Sequence, residues 1–254
     1  MKTKVDRRAA LKMLAGFALC PVCARKPLAA EAHWSYEGPN GPDNWGTLDA
    51  ANKMCSAGSQ QSPVDIIGST DARQPPLMIS WSRLADTIEN NGHTIQLNFT
   101  TGGTLTVGDR SYGLVQFHFH RPSEHLLRSE RFAMEAHFVH ARGNDLAVVG
   151  VFMIPGRNNA AFNKITSTMP SAEGPPAPAD PGIDPNTLLP GRLDYYRYEG
   201  SLTTPPCSET VDWLVISEGI EVAQADIERF AELYPMNARP VQAPNRRFIL
   251  HADL

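Results

Sequence analysis

Short runs rich in β-branched and aromatic residues recur along the chain at 87–88, 94–99, 104–107, 112–120, 132–140, 146–153 and 211–216. Each is bounded by Gly, Pro, Asn, Asp or Ser, and several alternate apolar with polar positions, which predicts strands with one face buried. A helical repeat stands out only over 223–233, where Ala225, Ile227, Phe230 and Leu233 make one apolar stripe. The stretch 169–186 is crowded with Pro, Gly, Ala and Asp and predicts a surface loop. The opening 33–42, with its aromatics, Gly and Pro, predicts an irregular segment lying over the core. No linker or internal repeat divides residues 31–254, so the pattern predicts one mainly β domain.

Two of these runs carry chemistry. In Gln116-Phe117-His118-Phe119-His120, alternation sends His118 and His120 to one face and both phenylalanines to the other. In Met134-Glu135-Ala136-His137-Phe138-Val139-His140, the same rule puts Glu135, His137 and Val139 together and His140 opposite. If the second run is the antiparallel neighbour of the first, His137 completes a three-nitrogen face. Isolated histidines usually satisfy a core or sit on the surface, but this spacing matches three-histidine zinc with an open fourth position for water.

The amino-terminal segment differs in character. Arg7 and Arg8 precede an apolar stretch from Leu11 to Leu19, and small residues follow at Ala29, Ala30 and Ala32, the layout of an export signal over residues 1–30. The arginine pair resembles a twin-arginine signal, with general secretion as the alternative route. Cleavage after Ala30 removes seven basic residues and one acidic one from totals of 23 and 27, leaving 16 basic, 26 acidic and a formal net charge of −10. That acidity excludes nucleic acid as a partner, since binding it depends on clustered Lys and Arg. No apolar run is long enough for a mature segment to span a bilayer. Of four cysteines, Cys20 and Cys23 fall within the signal. Cys55 and Cys207 remain, and in an exported chain they read as one structural disulfide rather than two free thiols.

At this point the chain resembles the α-class carbonic anhydrases of the exported bacterial type. The resemblance covers nearly all of the mature sequence: Trp34-Ser35-Tyr36-Glu37-Gly38, Gln61-Ser62-Pro63-Val64-Asp65-Ile66, Asn91-Gly92-His93, both histidine runs, Ser123-Glu124-His125, and Tyr198 through Cys207. It implies a large, twisted, mostly antiparallel central sheet with short peripheral helices, and a cone-shaped cleft holding Zn2+ on His118, His120 and His137. It implies reversible hydration of carbon dioxide to bicarbonate and a proton by a zinc-bound hydroxide, a chemistry for which carbonic anhydrases are themselves the reference example. Zinc over cobalt or iron follows from ligand type and family.

The resemblance also distributes roles. Gln116, Glu135 and the backbone carbonyl of Asn245 orient the rings of His118, His137 and His120. Thr203 accepts the hydroxide proton while donating its own to Glu124, Thr204 lines the pocket, and Val139, Val148, Leu202, Val211 and Trp213 form an apolar wall for carbon dioxide. His93 carries the released proton, an assignment resting on the Asn-Gly-His match because strand parity alone places it with Ile95 and Leu97. Cys207 pairs with Cys55, and His125 and His140 are structural. A homodimer is compatible with the sequence, which does not fix the oligomeric state. Two rival readings are a catalytically inactive carbonic anhydrase-like binding module and a periplasmic zinc-binding protein. All three ligand histidines are present, which counts against the first. The Glu124 and Thr203 pair and the apolar wall count against the second.

Overall fold

The computed structural model describes residues 33–252 apart from residue 83, so the export segment read at 1–30 lies outside the described residues. Seven strands form the middle of the principal sheet: β1 (Thr87–Asn90), β2 (Ile95–Asn98), β3 (Arg110–His120), β4 (Met134–Arg142), β5 (Asp145–Pro155), β6 (Tyr195–Gly200) and β7 (Val211–Ile216). Their spatial order is β1-β2-β3-β4-β5-β7-β6. Ala177–Pro178 continues the sheet beyond β1, and Leu250–Ala252 then Thr70–Asp71 continue it beyond β6. Most neighbours run antiparallel, but β5 lies parallel to β7 and to Ile220–Val222, so the sheet is mixed.

Register decides what the sheet displays. His118 of β3 stands opposite His137 of β4, and His137 stands opposite Gly150 of β5. A register shift between Leu114 and Gln116 marks a bulge at Val115. The extra residue reverses the alternation, so Tyr112 and Leu114 before it and Phe117 and Phe119 after it are all buried in the same core. His118 and His120 therefore leave by the other face.

Both faces of the sheet are covered. On the first, Phe117, Phe119, Ala136, Phe138, Val149 and Val151 pack beneath two helices, α1 (Ala160–Thr168) and α2 (Gln224–Leu233). The ring of Phe119 meets Phe162 of α1 at 5.2 Å and Phe230 of α2 at 6.1 Å. On the second face, Val148, Tyr198, Val211, Trp213 and Val215 form a separate apolar cluster, with Val139 and Leu202 packed against it. Continuous burial from Met134 to Phe138 follows from this double cover.

The helices depart from the sequence reading. α1 lies where no helix is predicted, started by the Asn159 side chain, which accepts from the Phe162 N–H at 3.1 Å. In α2 Ile227 and Phe230 are buried, but Ala225 is exposed and Asp226 takes a buried place. The reason is polar: the Asp226 carboxylate accepts from Asn163 Nδ2 at 3.0 and 3.2 Å, Thr166 Oγ1 at 3.0 Å and Arg229 at 2.8 Å, tying the two helices together. The 169–186 stretch is mostly exposed, as expected, though Ile183 is fully buried. The two remaining cysteines form the expected disulfide, Cys55 to Cys207.

Candidate active site

Three imidazoles converge on the second face. Ring centroids are 4.9 Å apart for His118 and His120, 5.5 Å for His118 and His137, and 4.5 Å for His120 and His137. One nitrogen from each lies within 4.8 Å of the others. Each ring has an acceptor beside its other nitrogen. His118 Nδ1 lies 2.8 Å from Gln116 Oε1, and His120 Nδ1 lies 2.8 Å from a backbone carbonyl. His137 Nε2 sits 2.9 Å from Glu135 Oε1, off the line of a well-aligned hydrogen bond. The carbonyl on His120 belongs to Asn237 and not to Asn245, whose side chain instead donates to Ser59 O at 2.6 Å.

Electrostatics keep these rings neutral, the state a metal requires. Burial pushes His120 down to about 4, and burial with the neighbouring imidazoles depresses His118 and His137. Burial pushes the Glu135 carboxyl up, but His125 and His137 outweigh it and hold it well below the usual carboxylate range. Its oxygens accept from the backbone N–H groups of Glu124 and His125, both at 2.9 Å, and from His125 Nδ1 at 2.8 Å. His125, Glu135 and His137 are a second set with metal-ligand proximity. His125 is consumed there by Glu135 and, at 2.6 Å, by the Tyr198 hydroxyl, so the first set fits a metal better.

Glu124 is fully buried and pushed up to about 7 by that burial, against the opposing pull of His137, the Thr203 hydroxyl and the Arg239 N–H. Its Oε1 accepts from that N–H at 2.8 Å. Its Oε2 makes no well-formed hydrogen bond, nor does His120 Nε2, and these two atoms face each other at 3.4 Å. With Nδ1 of His120 on the Asn237 carbonyl, the buried Nε2 is a lone pair without a donor, which is destabilising unless a cation lies near it. The three-histidine set fits a divalent metal on this ground.

The expected wall residues share one cluster: Val148, Val211 and Trp213 buried, Val139 and Leu202 half-buried against them. Val139 pairs with Val148 across β4 and β5, and Val148 with Trp213 across β5 and β7. Thr203 is buried and Thr204 half-buried beside it, its carbonyl accepting from Cys207 N–H at 2.9 Å. His93 lies outside β2 in a bend, half-buried, where Gly92 at φ 84° turns the chain and removes it from the parity of Ile95 and Leu97.

Three contributors escape sequence reading. Asn237 also accepts from Arg121 N–H with its side chain, and Arg239 is buried with its guanidinium on Gln61, Ser62 O and Cys55 O. Both lie in an irregular segment without periodicity. Gly150 opposite His137 had no usable signal, since its use is the space it leaves for Glu135.

A family model described as eukaryotic-type carbonic anhydrase matches residues 40–252. The carbonic anhydrase of Neisseria gonorrhoeae is 43% identical over 221 residues, covering 86% of this chain and 87% of that protein. That of Klebsiella pneumoniae is 39% identical over 223 residues, covering 86% and 91%. Among solved structures, the alpha-carbonic anhydrase from Thermovibrio ammonificans in complex with sulfanilamide is similar at a TM-score of 0.83 and 41% identity, over 86% of this chain and 99% of that one.

Proposed function

Because the chain belongs to the eukaryotic-type, or alpha, carbonic anhydrase family and is an enzyme of that family, we propose that it hydrates carbon dioxide reversibly to bicarbonate and a proton, with Zn2+ on His118, His120 and His137. The observation that carries the zinc assignment is the convergence of three neutral imidazoles on one point, with His120 Nε2 left unpartnered in a buried site. Zinc held there supplies a Lewis acid that makes water nucleophilic near neutral pH, a property general to this enzyme class.

The chain's own residues do the rest. With Arg239 N–H occupying Glu124 Oε1, Oε2 is the acceptor left for the Thr203 hydroxyl proton. A threonine that donates there can only accept from an attacking oxygen, which orients that oxygen's lone pair toward the substrate carbon. Carbon dioxide is uncharged and rests against Val139, Val148, Leu202, Val211 and Trp213, with Thr204 at the polar edge. Gln116, Glu135 and Asn237 hold the three rings. His93 takes the released proton away.

We place the enzyme outside the cytoplasm, in the periplasm or secreted. The Cys55–Cys207 disulfide supports this, together with the export-like sequence at 1–30. Among the described residues no helix is long and apolar enough to cross a membrane. The test is metal analysis with stopped-flow carbon dioxide hydration. We expect about one zinc per chain and zinc-dependent turnover, with His137→Ala losing both together. A zinc-loaded wild type without hydration activity would sink this function, and a His137→Ala variant that kept its metal would remove His137 from the ligands.

A further inference from the structure

His93 has neighbours that the reaction above leaves unused. Its ring stacks on Trp34 with 3.6 Å between centroids and lies 5.0 Å from the ring of His33, at interplanar angles of 10° and 22°. His33 is exposed and His93 half-buried, so the pair runs from the protein interior toward solvent. From another element, the 169–186 loop, Glu173 reaches the same rim: a Cβ placed on Gly92 would be 3.0 Å from Glu173 Oε2.

The loop that carries Glu173 is held there through its backbone. Gly174 N–H donates to Asn90 O at 3.1 Å, and Asn90 Nδ2 donates to Pro170 O at 3.2 Å. Tyr234, whose hydroxyl donates to Asn90 Oδ1, is the other titratable group that Glu173 acts on. His93 is anchored as well, since Asn237 Nδ2 donates to its carbonyl at 3.0 Å while the Asn237 carbonyl holds His120. The rim and the metal-ligand strand therefore share one fixed frame.

We propose that His33 is a second proton carrier of the hydration reaction, receiving from His93 the proton that hydration releases and passing it to buffer, while the Glu173 carboxylate stabilises the positive charge in transit. This rests on the hydration reading. Stacked rings at this separation do not share a direct hydrogen bond, so the proton crosses through solvent at their exposed edges, one N–H bond breaking on His93 and one forming on His33. Burial and the nearby His33 push His93 down to about 4, with Glu173 pulling the other way. A protonated imidazole there releases its proton readily, and the His33 ring 5.0 Å away is placed to take it.

The test combines kinetics with titration of His93 by NMR in the zinc-loaded full chain. In dilute buffer, His33→Ala and Glu173→Gln each lower kcat by about threefold to tenfold while kcat/KM holds, and concentrated imidazole buffer restores kcat. Glu173→Gln lowers the His93 midpoint and His33→Ala raises it. An active wild type whose kcat ignores both substitutions overturns the relay, as does a His93 midpoint that neither substitution moves. A wild type with no zinc-dependent hydration overturns the function, and the relay falls with it.

Discussion

His140 sits three positions from His137 on the same strand and serves a different end. Its Nε2 accepts from Trp81 Nε1–H at 2.9 Å and its Nδ1–H donates to Ala147 O at 3.2 Å, a pair of bonds only the neutral ring can make. Burial pushes it down to about 4 from an ordinary 6.5. Between those values the unfolded chain binds a proton that the folded chain refuses. The contribution to stability is therefore whole above pH 6.5 and is lost as pH falls toward 4, by on the order of 3 kcal/mol. In urea titrations across that window the wild type is expected to lose more stability than His140→Gln. Parallel curves would show that another group carries the acid sensitivity. At this scale the sequence was most informative where a side chain carries the signal. His118 and His120 share a face by alternation alone, and His137 joins them once the two runs pair. The partner of His120 does not follow in this way, because a backbone carbonyl has no residue signature and Asn237 lies in an aperiodic stretch.

Across β3, β4 and β5, the row His118, His137, Gly150 shows strands cooperating to shape one site. A methyl group on Gly150 would lie 2.9 Å from Glu135 Oε1, the oxygen beside His137. Gly150→Ala is expected to displace that carboxylate and weaken zinc binding by about tenfold to a hundredfold, read by chelator competition. Unchanged affinity would mean that Glu135 can move without disturbing its histidine. The strands themselves were legible in the runs 112–120, 132–140 and 146–153, but of their pairing only that of the two histidine runs entered the sequence reading, as a condition. The Val115 bulge was not legible. Strict alternation carried back from His118 would set Leu114 among the histidines, yet Leu114 is buried with the phenylalanines. The α1 helix escaped because it is short and draws on the Asn159 cap and on tertiary burial of Phe162 and Ile165 rather than on a long repeat. Ala225 misled because an apolar side chain at helical spacing gave way to Asp226, which had partners waiting on α1.

For the molecule as a whole, the Cys55–Cys207 bridge links positions 152 residues apart. The Cys55 carbonyl accepts from Arg239 at 3.0 Å and that of Cys207 from Gln61 Nε2 at 3.1 Å, so the bridge also braces the segment that supplies an N–H to Glu124. Replacing both cysteines with serine is expected to destabilise the fold by about 5 kcal/mol in the chain-entropy account. Chemical denaturation measures it, and an unchanged midpoint would show that packing alone closes this loop. The second apolar cluster has a wider consequence. Val148, Val211 and Trp213, proposed as part of the substrate wall, belong to the interior as well. Trimming a wall valine to admit a bulkier guest withdraws about 1 kcal/mol or more of packing from the fold. At the rim, His33 and Glu173 are exposed and stand outside the apolar clusters. Divergence among descendants of this chain is therefore cheap at the mouth and expensive at the floor. On the proposed roles, a lineage can change how fast protons leave far more readily than it can change what it hydrates.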